Sequence, residues 1–324
     1  MRRLRWICQY KDWVIIVIFV LGNQTILAGG GDRSNIVGLG MGRTYTATSR
    51  GIDAIGINPA NLAVPGDKSF TLSILPLGVR LGTDFLDYGL YRQYFTGDPT
   101  ETGRVGHYLT ESDKSMILSK FSSGTGTVNA DADVKLIGLS LQGATNSFGF
   151  AVTEKVGAVG TFSKDYLKFL FYGNSPGETF NFSNTAMRGW WLREYSLSYA
   201  RRFDDALGLN FLCLGVAAKL VNGFGYFDAQ QMNSSFTTSG QDVVTGHVEF
   251  ISHRSGADFF NSQRQASVTP FPSPSGTGWG FDFGINAKLS NGLRFGLSLT
   301  DLGSLTWTSS KTRTISDSYG TILN

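Results

Sequence analysis

Charge is scarce in this chain. Of 324 residues, 28 are Lys or Arg and 25 are Asp or Glu, so charged residues reach 16% and the net charge is +3. A typical domain carries about a quarter. The basic residues are scattered, which argues against the basic face of a nucleic-acid binder, and no nucleic-acid partner is expected. Cysteine is almost absent: Cys8 lies near the N-terminus and Cys213 stands alone in an apolar run. No disulfide framework is available, so stability has to come from strand pairing and burial. Past the N-terminal region no stretch of about 18 apolar residues occurs, so no helix is expected to cross a membrane. The three histidines, His107, His247 and His253, are far apart or lack a Cys or acidic pair to complete a metal site. Neither a G-x-S-x-G elbow nor an H-E-x-x-H pair is present. "GLGMGR" (Gly38 to Arg43) is glycine-rich but is not G-x-G-x-x-G. No catalytic residue, metal or cofactor is predicted, and the chain is not expected to be an enzyme.

What is abundant points elsewhere. There are 41 Gly and 24 Phe, aromatics make up 13% and apolar residues 41%. A low-charge chain rich in glycine and aromatics fits an all-β protein with many tight bends.

The first residues carry Arg2, Arg3, Arg5 and Lys11, then "VIIVIFVL" (Val14 to Leu21), then small residues from Ala28 to Gly31. A charged start, a short apolar core and a small-residue zone make a signal peptide, assigned to residues 1–28. The apolar run is shorter than the ~20 residues of a spanning helix. Ile26 is a poor match where a small residue is expected before the cut. An exported protein is therefore expected.

From residue 68 onward the dominant period is two. In "GWGFDFGINAKLSNGLRFGLSLTDLGSLTW" (Gly278 to Trp307), Trp279, Phe281, Phe283, Ile285, Ala287 and Leu289 share one face. Gly280, Asp282, Gly284, Asn286 and Lys288 share the other. "SNG" (Ser290 to Gly292) predicts a tight turn, because Asn-Gly accepts the positive φ angles of a hairpin. The chain returns with Leu293, Phe295, Leu297 and Leu299 on one face. The same style recurs in "SFTLSILP", "DADVKLIGLSLQG", "SFGFAVTEKVG", "WWLREYSLSYARRF" and "GLNFLCLGVAAKLVNG", giving roughly eight to ten strands. Arms of about ten residues exceed the ~5–6 of soluble strands and match the ~9–11 of strands that cross a membrane. The fold expected is a transmembrane antiparallel β-barrel with apolar residues toward outer-membrane lipid. A soluble sandwich, such as a secreted adhesin, would alternate too, with its apolar face in a core.

Two short helices are expected within the barrel domain, 67–324: Thr110 to Phe121, with a capping-box start at Thr110 and Asp113, and Phe162 to Asn174, stopped by Gly173. Gln230 to Ser275 reads as one strand between long loops. Asp84 and Asp87 read as solvated carboxylates, with a pore lining as the alternative. Asp204 and Asp205 read as a turn. The chain closes on "SDSYGTILN" without the terminal aromatic common in bacterial barrels, so it either departs from that habit or is incomplete at the C-terminus.

Between the signal and the strands lies "GIDAIGINPANLAVPG" (Gly51 to Gly66). Asn58 suits a helix N-cap and Pro59 the first helical position. "NIVGLGMGRTYTATSRGIDAIGINPANLAVP" (Asn35 to Pro65) resembles the N-terminal region of FadL-like outer-membrane proteins. The matching residues are Gly40, Met41, Gly42, Ala47, Asp53, Ala54, Asn58, Pro59, Ala60 and Leu62. With the hairpin from Gly278 to Trp307, most of the chain is similar to an uncharacterised outer-membrane family of the Bacteroidetes–Chlorobi lineage. The resemblance implies that residues 29–66 are a hatch or plug, held by Gly40, Met41, Gly42, Asp53, Asn58, Pro59, Ala60 and Leu62. It implies an outer-membrane location in a Gram-negative-type bacterium. Two functions follow from it: a channel for hydrophobic small molecules along an apolar path, or a plugged PorV-like barrel that docks secreted protein clients in type IX secretion.

Overall fold

The computed structural model describes residues 34–42, 44–239, 243–256, 272–309 and 311–323. The expected signal peptide lies outside the described residues.

Helix α1 (Ile36–Gly40) and two 3₁₀ turns (Gly51–Ala54 and Pro59–Ala63) precede the strands. Then come β1 (Phe70–Ile74), β2 (Leu77–Thr83), α2 (Tyr88–Phe95), β3 (Asp98–Thr100), β4 (Gly103–Val105) and α3 (Glu111–Ser119). Next are β5 (Thr125–Gln142), β6 (Asn146–Ser163), α4 (Asp165–Tyr172), β7 (Thr179–Asn181) and β8 (Thr185–Asp204). The last are β9 (Phe211–Ser239), β10 (Val243–Ser255), β11 (Gly276–Lys288), β12 (Arg294–Trp307) and β13 (Thr312–Leu323). Eleven strands form one sheet and β3 and β4 form a separate pair. The fold is all-β, and the ladders are antiparallel.

Several strands share a pass across the sheet. β1 and β2 both pair with β5 and are separated at Leu75–Pro76, where Leu75 takes a positive φ of 56° and Pro76 has no N–H to give. β9 pairs through its first half with β11 and through its second half with β10. β12 continues the edge beside β11, and β13 continues it beside β10. No ladder joins β1 or β2 to β12 or β13 among the described residues, so the sheet is open and the closed barrel is not seen.

The sheet is nonetheless strongly curled. β6 and β12 are four strand steps apart, ~19 Å on a flat sheet. Yet Lys155 Nζ on β6 lies 3.9 Å from Asp301 Oδ1 on β12, which only a trough permits.

Alternation places apolar residues on the convex face. Phe148, Leu197, Leu214, Val216, Phe283, Phe295 and Leu297 are all exposed there, and no second sheet covers them among the described residues. The concave face is buried and small or polar: Asp133, Thr153, Ser196, Ser198, Lys219, Asp282 and Asn286. This reverses the burial of a soluble sandwich. Ala287 departs from the expected pattern, being buried near the rim.

Turns are short at one end, across 143–145, 205–210 and 289–293. The segments 84–124 and 164–184, with all the helices after α1, lie at the other end. In the turn after β11 only Gly292 takes a positive φ, 89°, so Asn-Gly does not use the two-residue geometry expected of it. Asp205 is left-handed in its turn at φ 51°.

Other expectations shift. Helix α3 has the capping box at Thr110 and Asp113, but α4 starts at Asp165 rather than at Ser163. Helix α2 was not expected; Asp87 caps it through Leu90 N at 2.8 Å, and Asp84 accepts from Thr127 N at 2.7 Å, so both carboxylates cap backbone. Gln230 to Ser275 is mostly strand in its described part, because β9 and β10 run on through it as a long antiparallel pair. The stretch 257–271 lies outside the described residues.

Candidate functional site

Residues 34–66 lie on the concave face at the short-turn end. Asn58 is the pivot. Its Oδ1 accepts from Ala60 N at 3.1 Å, capping the 3₁₀ turn that Pro59 begins. Its Nδ2 donates to Thr46 O and to Ile285 O of β11, both at 3.1 Å. Asn61 Nδ2 donates to Thr46 O at 2.8 Å and to Ser49 Oγ at 2.6 Å. Asn286 of β11 donates to Asn61 Oδ1 at 2.7 Å and to Ala47 O at 2.9 Å. Gln142 of β5 donates to Val64 O, and Ile52 N donates to Thr71 Oγ1 of β1 at 2.9 Å. Buried amides of this kind have to be paired, and here they join the segment to the first, second and sixth passes of the sheet.

The wall is cut to fit. A Cβ on Gly215 of β9 would stand 2.2 Å from Ala60 N, and one on Gly284 of β11 2.0 Å from Asn58 Oδ1. Gly138 of β5 faces Ile52, Gly149 of β6 faces Ile55 and Leu62, and Gly296 of β12 faces Ala47. Glycine lets the segment's backbone approach the wall at Gly215, Gly284 and Gly296, and makes room for isoleucine and leucine side chains at Gly138 and Gly149. Ile52, Ile55, Leu62 and Val64 form one apolar cluster with Ala151, Ala200, Phe211 and Cys213 of the wall. Burying each of the larger side chains contributes about 1.5–3 kcal/mol before entropy is counted.

The sequence candidates are placed unevenly. Asn58, Pro59, Ala60 and Leu62 are buried at the centre of the contact. Asp53 lies beside Tyr45, whose hydroxyl is pushed above its ordinary pKa by burial and then by that carboxylate. Gly40, Met41 and Gly42 lie away from the wall: Met41 is exposed, and nothing approaches a Cβ built on either glycine.

Next to this contact, farther from the short turns, is a layer of buried charge that sequence reasoning did not assemble. Lys219 of β9, only 2% exposed, lies 2.8 Å from Asp282 and 2.6 Å from Asp301, with Glu194 at 3.5 Å. Lys155 lies 2.8 Å from Glu194. Asp282 Oδ1 also accepts from Asp301 N at 2.8 Å, and Asp301 takes a positive φ of 60° where β12 bulges. The available signal was a charged residue on the small-residue face at Lys155, Glu194, Lys219 and Asp282; Asp301 falls on the apolar face by simple alternation, and the β12 bulge turns it inward. Only the curl brings those residues together.

Three further rings lie on this face toward the long-loop end: Trp190, Tyr226 and Trp307. On the convex face an apolar groove of about 540 Å³ runs along β6, β8 and β9 past Val156, Ala158, Met187 and Phe227. No group of His, Cys, Asp or Glu suited to a metal ion occurs among the described residues.

These features define a class: an antiparallel all-β protein with an N-terminal segment packed into the trough of a curled sheet. Residues 64–322 match the model of a family of unknown function, DUF5723, and the chain belongs to that family. No curated protein and no solved structure matches it.

Proposed function

We propose that the protein is an outer-membrane β-barrel protein whose lumen is plugged at the short-turn end by residues 34–66. The observation that carries this is the inverted burial: the convex face is apolar and exposed, while the concave face holds charge and a docked segment. Lipid is the environment in which an apolar convex face is stable. The apolar bands fit it: Phe148, Phe150 and Val152 lie on β6 and Phe295 to Leu302 on β12, the latter approaching the ~25 Å belt of outer-membrane barrels, and Glu154, which interrupts the β6 band, is paired with Arg193 of β8 and accepts from Trp191. In this reading the sheet is barrel wall, and closing its open edges takes further pairing.

Of the two functions the resemblance implies, the plugged barrel that serves partners at its long-loop end is favoured. A hydrophobic molecule diffusing through the lumen would meet the Lys155–Glu194–Lys219 layer and then the asparagine-tied segment. Neither is an apolar path. The channel reading keeps one supporting observation, the groove on the convex face.

The test is an envelope fractionation followed by a gel of the outer-membrane fraction with and without boiling. A heat-dependent band shift with no uptake of a hydrophobic dye into proteoliposomes is the expected result. Dye uptake returns the channel. Release into the aqueous periplasm with no heat shift defeats the membrane assignment.

A further inference from the structure

Trp190, Tyr226 and Trp307 lie on a floor of glycine. A Cβ on Gly157 of β6 would stand 2.3 Å from Trp190 Cζ2 and 2.5 Å from its Cε2, so the indole covers that glycine. Trp307 covers Gly223 of β9, 2.5 Å from its Cη2, and Gly276 of β11, 2.9 Å from its Cε3. Tyr226 is the register partner of Trp190 and packs on Trp307, with centroids 5.2 Å apart and planes 30° apart. The three rings make one band from β6 to β12, ~19 Å along the sheet. All three are half-buried: part of each ring faces the wall and part faces the trough.

Charge borders the band. Arg188 pairs with Asp228 at 3.4 Å; Asp228 is buried, Arg188 is 55% exposed, and the Tyr226 hydroxyl neighbours both. On the side toward the short turns stand Lys155, Lys219 and Glu194. A lipid chain laid on the rings would strip water from the exposed Arg188 guanidinium and return no hydrogen bond. A planar aromatic ligand would offer that guanidinium no acceptor. A pyranose offers both things the surface asks for. Its C–H face is positively polarised and suits the negative face of an indole or phenol ring. Its hydroxyls accept from a guanidinium. Three rings in a row suit a chain of linked sugars better than one.

We propose that Trp190, Tyr226 and Trp307 form a binding platform for a saccharide chain, with the exposed Arg188, held by the buried Asp228, donating to its hydroxyls. The proposal rests on the reading that this face lines a lumen open at the long-loop end.

The experiment is a tryptophan-fluorescence titration of the full chain, purified from membranes in detergent. The probes are maltohexaose, cellohexaose, chitohexaose and the delipidated core oligosaccharide of lipopolysaccharide. A saturable emission shift with at least one probe is expected. Trp190→Ala and Trp307→Ala each weaken it by about tenfold or more, whereas Trp279→Ala on the convex face leaves it unchanged. Saturation by the core oligosaccharide alone assigns the source to the cell's own glycolipid; saturation by a free hexaose assigns it to soluble glycan. No saturable shift with any probe overturns the proposal, and so does a shift that only Trp279→Ala abolishes. The heat-shift gel on the same samples keeps the two ideas apart. A protein that shifts on heating but binds no probe refutes the platform alone. A protein that binds through Trp190 and Trp307 but does not shift upholds the platform and refutes the barrel.

Discussion

Two neighbouring layers of the same trough are filled in opposite ways. At the short-turn end the wall is reduced to glycine, and the space is taken by backbone and asparagine from another part of the chain. One layer farther on, the wall fills the space itself with long charged side chains. The first solution needs close approach and fixed partners, because each glycine faces one to three particular residues of the segment. The second needs only that opposite charges arrive together. The docked segment therefore depends on shape, and the layer beside it on pairing.

The largest effect is expected from breaking the pairing. Lys219→Met leaves Asp282 buried without its cation. Loss of one partner of a buried pair costs about 3–5 kcal/mol, read as a lower urea midpoint in detergent. Adding Asp282→Asn recovers part of that loss, since one unpaired charge fewer remains.

Breaking the shape comes next. Gly215→Val pushes a side chain into Ala60, where even a Cβ has 2.2 Å of room. Overpacking of this kind costs about 1–3 kcal/mol. Trypsin should then cut faster at Arg50, whose half-buried guanidinium donates to Ala47 O in the docked segment. Gly225→Val is the control, because nothing lies within 4 Å of a Cβ at Gly225. Equal cleavage of both variants would mean that the glycine cradle does not hold the segment.

Asn58→Ala tests the cap and the tie to Ile285 together. It should cost about 1–2 kcal/mol, less than overpacking, and raise cleavage at Arg50 in proportion.

The smallest effect lies in the segment 84–124, away from both layers. His107 Nδ1 lies 3.0 Å from Asp98, and hydrogen bonding to that carboxylate raises the histidine pKa above 6.5. A raised histidine pKa contributes stability that is fully present below 6.5 and is lost as pH rises through the folded value. Proteolysis at Arg104 should therefore accelerate as pH rises through that value, and His107→Ala should flatten the profile. A pH-independent rate in the unaltered protein would remove His107 from the account.

Much of this could be read from sequence. Strict alternation from Trp279 to Ile285 announced a strand with one apolar face, and Thr110 with Asp113 announced a capped helix. Asn58-Pro59 announced a capped turn. Other features carried no usable local signal, for a physical reason. Asn222-Gly223 and Asn291-Gly292 are the same dipeptide, yet only the second turns the chain. At the first, Phe224 forms a bulge opposite Trp191 and Leu192, and β9 runs straight on because strands on both sides hold it. Helix α2, rich in aromatics and carrying Gly89 at its start, has no strong helix propensity and depends on its Asp87 cap.

The sequence by itself determined the two faces of each strand between bulges, because side chains alternate there whatever the strand packs against. It also determined the capped turn at Asn58, which is local. Only the tertiary structure decided which glycine meets which residue of the segment, and that Lys155, Glu194, Lys219, Asp282 and Asp301 share one layer. Those residues come from β6, β8, β9, β11 and β12. Their meeting depends on the curl of the sheet, a sum of twist and register over every strand, which no local pattern carries.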